Sequence, residues 1–146
     1  MKLLITSDVH GDLEGLKDVI KKHPDITHHI NAGDMCLDPK LYETYHIITV
    51  KGNNDFGVDL PYHRLLDIED HMIFLSHGHL EMVKFGYERL VVKAKMYQAK
   101  LVIFGHTHQR YLEKIDDMMI INPGALGDYN RSYAIYENGQ ITFYKR

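Results

Sequence analysis

The chain has 146 residues, 45% of them hydrophobic and 25% charged, with a formal net charge of −3 and a single cysteine, Cys36. That composition excludes an intramolecular disulfide framework, a basic nucleic-acid coat and an electrostatic binder of anionic membranes, because each lacks the residues it needs. It predicts one domain, residues 1–146, with a core of its own, in a reducing and hence cytoplasmic setting.

No stretch is long and apolar enough for a signal core or a membrane span. Residues 2–6, KLLIT, read as a short buried strand. Residues 13–22 set Leu13, Leu16 and Ile20 on one helical face, with Asp12 as N-cap and Pro24 beyond the end. DITHHIN (25–31) and YHIITV (45–50) are further strands, followed by Gly33-Asp34 and Gly52-Asn53. RLLDI (64–68) and MIFLSH (72–77) form a hairpin across Glu69-Asp70. Over 87–99, Tyr87, Leu90, Val91, Ala94 and Gln98 keep the helical period, which predicts a helix packed on a sheet. LVIFG (101–105) is again a strand, and YLEKI (111–115) is followed by MMIIN (118–122) across Asp116-Asp117. SYAIY (132–136) and ITFYK (141–145) are joined through Asn138-Gly139, a strong hairpin signal. This order predicts mixed sheets with helices on the outside.

The ends of these runs share one chemistry. Asp8 and His10 follow the first strand; Asp34 follows the second; Asn53, Asn54 and Asp55 follow the third. His77 and His79 follow a fourth, and His106 and His108 a fifth. Taken singly, each has an ordinary reading as a turn, a cap or a satisfied rim histidine. Jointly, five apolar runs that all close on metal-ligand types point to one edge where strand ends converge.

The ordered pattern Asp8-x-His10, Gly33-Asp34, Gly52-Asn53, His77 and Gly105-His106-x-His108 resembles the calcineurin-like metallophosphoesterases. INPGALGDYN (121–130) is similar to a loop of the small bacterial and archaeal phosphodiesterases of that family, and of the retromer subunit that shares the fold. The resemblance implies an α/β (α+β) sandwich of two mixed β-sheets flanked by helices. It implies two divalent metal ions, manganese first, with zinc, iron or nickel also suited to oxygen and nitrogen donors. Asp8, His10 and His108 would hold the first, and Asn53, His77 and His106 the second, with Asp34 between them. Two dications against two aspartates leave a positive surplus that draws a phosphate ester into an acidic chain. The implied reaction is in-line attack by a bridging hydroxide on a small phosphate ester, a diester before a monoester. No membrane or long nucleic acid is expected as partner; the oligomeric state, a homo-oligomer included, stays open.

Where many members carry Gly-Asn-His, this chain has Gly52-Asn53-Asn54. An amide hydrogen-bonds a phosphoryl oxygen but is no acid. A general-acid factor of roughly 10²–10⁴ is then missing, which implies good leaving groups. Asn54 and His79 are the candidate catalytic side chains. His79 either replaces the acid or is structural. His23, His28, His29, His46, His63 and His71 read as surface or strand-rim residues, Cys36 as a spectator, Asn122-Pro123-Gly124 as a turn, and Arg131 as either surface or a phosphate contact. The competing function is a protein-binding module on the same fold; the complete set of ligand types favours the enzyme.

Overall fold

A computed structural model describes residues 1–146. The first strand, β1 (Lys2–Thr6), is buried from Leu3 on because it is covered on both faces, which is why it lacks a polar–apolar alternation. Leu3 and Ile5 point between the two sheets, and Leu4 points toward the first helix.

That helix, α1 (Leu13–Lys22), begins where the Asp12 side chain accepts a bond from Gly15 N at 3.0 Å, and it ends at His23, before Pro24. Leu16 and Val19 are its fully buried residues; Leu13 and Ile20 flank them. Next come β2 (His28–Asn31), a short helix α2 (Lys40–Thr44) and β3 (Ile47–Thr49). Nothing in the sequence periodicity announces α2, because five residues are too few to show a period. Lys40 N donates to Asp38 Oδ1 at 3.0 Å at its start, and Tyr42 is its buried anchor.

The second half holds β4 (His63–Ile68), β5 (His71–Ser76), α3 (Glu88–Met96), β6 (Leu101–Ile103), β7 (Arg110–Ile115), β8 (Met118–Pro123), β9 (Ser132–Glu137) and β10 (Gln140–Lys145). Two predicted hairpins close as expected. Glu69 and Asp70 have φ of 49° and 64°, and Asn138 and Gly139 have 51° and 78°, both central positions being left-handed as two-residue turns require. Gln98, expected on the buried face of α3, lies beyond the helix end and is exposed; Leu90 and Ala94 carry the contact.

The strands form two mixed five-stranded sheets, ordered β10-β9-β1-β2-β3 and β4-β5-β6-β8-β7. β1, β2 and β3 run parallel in the first, and β5, β6 and β8 in the second. Leu3, Ile5, Ile30, Ile73, Leu75, Ile103 and Ile121 fill the space between the sheets. α1 covers the outer face of the first sheet and α3 that of the second. No helix is long and apolar enough to cross a membrane.

His29 departs from the surface reading. It is buried on β2, an interior strand, facing the α1 side with Leu4. Its Nε2 lies 2.8 Å from Thr6 Oγ1 and its Nδ1 has no partner. Burial pushes its pKa down to about 3, so it stays neutral in the fold.

Candidate metal centre

The parallel strands deliver their C-terminal ends to one place. Asp8 N donates to Gly33 O at 3.0 Å, and Gly105 N to His77 O at 3.0 Å, tying neighbouring ends within each sheet. His106 N donates to Asp8 Oδ2 at 3.1 Å and joins the two sheets across the site. Gly105 must be glycine, since a Cβ there would collide with Ser7 Oγ and Asp8 Oδ2. Gly52 is excluded from carrying a side chain by Asp34 in the same way.

Two groups of donor atoms form. Asp8, His10 and His108 make one; Asp8, Asp34 and His77 make the other. His10 Nε2 and His108 Nε2 lie 3.3 and 3.1 Å from Asp8 Oδ1. Asp34 Oδ2 lies 3.7 Å from His10 Nε2 and 3.4 Å from His77 Nε2, so it reaches both groups. His106 adjoins the second, its ring centroid 5.1 Å from that of His77. Asn53 is exposed in the turn that follows Gly52, next in sequence to Asn54. Asn54 spends its amide on Asp34: Nδ2 donates to Oδ2 at 2.9 Å, and its backbone N donates to Oδ1 at 2.8 Å. His79 packs its ring 5.4 Å from His77 and 5.7 Å from Tyr62.

The donors suit a divalent cation. They are nitrogen and oxygen only, and His77 Nε2 is buried without a hydrogen-bond partner between Asp8 and Asp34. His77 Nδ1 pairs with Ala32 O at 2.7 Å, which presents the other nitrogen to the site, as metal-binding imidazoles require. Cys36 does not compete: partial burial and the carboxylates of Asp55, Asp34 and Asp8 push its thiol up to about 11.

Electrostatics follow the same geometry. Burial opposes a charge on Asp8, but His10, His108 and His77 outweigh it and hold the carboxyl well below the usual range. Asp8 in turn raises His10 and His108, and Asp34 and Asp8 raise His77 against the effect of its burial. His106 goes the other way, down to about 4, through burial and the neighbouring His77. Burial and His77 likewise lower His79, disfavouring its protonated form.

The backbone is strained where the donors sit. Asp8, His10, Asp34, His106 and His108 have φ of 53°, 48°, 57°, 69° and 64°. Left-handed backbone costs a residue with a Cβ roughly 1–2 kcal/mol. Glu69, Asp70 and Asn138 adopt the same region in plain hairpin turns, so what marks the site is that five such residues meet at one edge.

Several residues that are not candidate metal donors hold the site. Asp55 accepts from Asp34 N at 2.8 Å, Gly52 N at 2.7 Å and Cys36 N at 3.1 Å. Asn31 accepts from Gly33 N at 2.8 Å. Asn122, expected where a strand meets a turn, lies in β8 next to its last residue and donates 3.0 Å bonds to Gly105 O and Thr107 Oγ1, bracing the His106–His108 loop. Asp128 Oδ2 lies 3.3 Å from His108 Nδ1. Asp55 stands among the polar strand-end residues of the sequence, and Asn31, Asn122 and Asp128 are short polar residues within two positions of a glycine, a signal that ordinary turns share.

Comparison with known proteins agrees with this geometry. Residues 1–139 match the family model described as the calcineurin-like phosphoesterase superfamily domain. A "Probable metallophosphoesterase" of Mycoplasma pneumoniae is 35% identical over 130 residues, covering 86% of this chain and 79% of the relative. A phosphodiesterase of Methanocaldococcus jannaschii is 31% identical over 149 residues, covering 88% and 86%. The crystal structure of a "predicted phosphoesterase" from Streptococcus pneumoniae superposes with a TM-score of 0.85 at 23% identity, covering 99% of this chain and 97% of that one.

Proposed function

Because this chain belongs to the calcineurin-like phosphoesterase superfamily, we propose that it hydrolyses small phosphate esters with two divalent cations, and diesters in preference to monoesters. The observation that carries this is the pair of buried carboxylates, Asp8 and Asp34, ringed by imidazoles from strand ends of both sheets, with His77 Nε2 unpaired between them. The named phosphodiesterase among the relatives supports the diester preference. In this reading residues 1–146 act as one domain, and each sheet supplies part of the site.

Asp8, His10 and His108 would hold one cation, His77, His106 and Asn53 the other, with Asp34 shared; manganese, zinc, iron and nickel all suit the donors. When bound, the two cations supply an activated water for in-line attack and positive charge against the phosphoryl oxygens. The chain's own groups do the rest. Asn54 holds the carboxylate of Asp34, Ala32 O orients His77, and Asp128 orients His108. No side chain here is well placed as an acid for the leaving group: Asn54 cannot be one, and the surroundings of His79 disfavour the protonated form that would donate. Esters with good leaving groups are therefore the substrates that turn over.

The test is to strip the protein of metal, reload it with Mn²⁺ and assay an aryl phosphodiester beside the matching monoester. Metal-dependent hydrolysis, faster on the diester and lost in Asp34→Asn, is expected. Bound Mn²⁺ with no turnover would overturn the reading in favour of a binding module.

A further inference from the structure

We propose that a polar recess beside the metal centre is a second anion subsite, so that the substrate is a phosphodiester carrying a further phosphate on one arm; this rests on the phosphoesterase reading above. The recess has a volume of about 360 Å³ and is lined by His108, Gln109, Arg110, Asn130, Ser132 and Lys145. No apolar side chain and no carboxylate lines it. His108 is the shared wall: its ring lines the recess, and its Nε2 lies 3.1 Å from Asp8. Two carboxylates adjoin that wall without lining the recess: Asp8 on the metal side, and Asp128, which faces His108 Nδ1 at 3.3 Å.

Arg110 is built into place. Its Nε donates to Ser132 Oγ at 2.6 Å and its Nη2 to Tyr144 O at 2.8 Å, and the guanidinium lies 5.4 Å from the Phe143 ring centre. Ser132 is itself buried, its hydroxyl bonded to Pro123 O at 2.7 Å. A guanidinium has five N–H donors, and this arrangement leaves three of them free. Lys145, exposed on the last strand, adds a second cation to the same recess. Neither pairs with a carboxylate of the chain, unlike Lys93 with Glu81 or Lys100 with Asp117.

What sets the pair apart is placement: an anchored guanidinium and a lysine line one recess that no carboxylate lines, next to a metal-centre histidine. A pre-positioned guanidinium recognises phosphate with little ordering cost, and the bond is charge-assisted. A monoester puts its only phosphate on the metal edge and leaves the recess empty. A diester with a further phosphate fills both, while Gln109 and Asn130 remain for hydroxyls of the linking arm.

The test compares thymidine 3′-phosphate 5′-(4-nitrophenyl phosphate) with thymidine 5′-(4-nitrophenyl phosphate), which share the scissile bond and leaving group and differ by one phosphate. With Mn²⁺-loaded protein, kcat/KM for the first exceeds that for the second by about 10-fold, and the ratio falls toward unity in Arg110→Gln and Lys145→Gln. Calorimetry provides a readout without turnover: thymidine 3′,5′-bisphosphate binds about 10-fold tighter than thymidine 5′-monophosphate, and Lys145→Gln removes the difference. Lys145 is exposed, so that variant keeps the fold. Equal kcat/KM and equal binding for the two members of each pair overturn the subsite and leave the phosphoesterase standing. No turnover of either ester, with a bisphosphate preference that the variants abolish, overturns the phosphoesterase and supports the subsite. A preference untouched by both variants places the second phosphate elsewhere and overturns the assignment.

Discussion

Replacing Asp55 with Asn tests how the site loops are held together. The carboxylate is 2% exposed and accepts three backbone N–H groups, from Asp34, Gly52 and Cys36, at 2.8, 2.7 and 3.1 Å. These come from the two loops that carry Asp34 and Asn53. An amide of the same shape accepts at one oxygen only. With that oxygen toward Asp34 and Gly52, Nδ2 meets Cys36 N–H, donor against donor. Two charge-assisted bonds become neutral, at about 1 kcal/mol each, and one N–H loses its acceptor, at about 1–2 kcal/mol. The expected loss is about 3–4 kcal/mol, large against a typical total stability of about 5–15 kcal/mol. The variant therefore folds but is weakened, and Mn²⁺ affinity falls about 10–100-fold as Asp34 loses its support. Urea unfolding gives the first quantity, from the midpoint at unchanged slope, and calorimetric Mn²⁺ titration the second. A loss below about 1 kcal/mol together with unaltered Mn²⁺ affinity would refute the idea that Asp55 clamps these loops.

Gly105→Ala drives a methyl group into Ser7 and Asp8; circular dichroism stays native-like while Mn²⁺ affinity falls about 10–100-fold. His29 gives a pH signature with a definite sign. Its folded pKa of about 3 lies below the ordinary 6.5, so its neutral burial costs nothing above pH 6.5. As pH falls from there toward 3, the unfolded chain takes up a proton that the fold refuses, and stability drops. Between pH 6.5 and 5, wild type loses about 1.5–2 kcal/mol more than His29→Leu in urea midpoints taken at both pH values; parallel losses would contradict the buried neutral imidazole. Asn54→His puts an acid beside the leaving group: turnover of alkyl diesters rises relative to aryl diesters by at least about 10-fold, toward the 10²–10⁴ of a placed acid. An unchanged ratio means that the missing histidine is not what limits this enzyme.

The sandwich was legible because each strand announces itself locally. Leu3 to Ile5, Ile73 to Leu75 and Leu101 to Ile103 are short apolar runs, and Asn138-Gly139 names its own turn. The candidate donors Asp8, Asp34, His77, His106 and His108 were legible as residue types because each lies within about one turn past the end of such a run. The supports were not. Asp55 reads only as one more strand-end carboxylate, and Asn122 and Asp128 as strand-end or turn residues, until the chain folds and sets them on Gly52, Gly105 and His108. The amide of Asn54 looked open to a phosphoryl oxygen, and the fold turns it onto Asp34.

The sequence by itself determined which segments are strands, where they turn, and which residue types stand at their ends, because local hydrogen bonding and side-chain period are properties of neighbours in the chain. Only the tertiary structure decided which strands share a sheet, that His29 lies inside rather than outside, and that Arg110 and Lys145 meet beside His108. Those outcomes depend on contacts between residues far apart in sequence. Their energies come from burial and desolvation, which exist only once the two sheets close on one another.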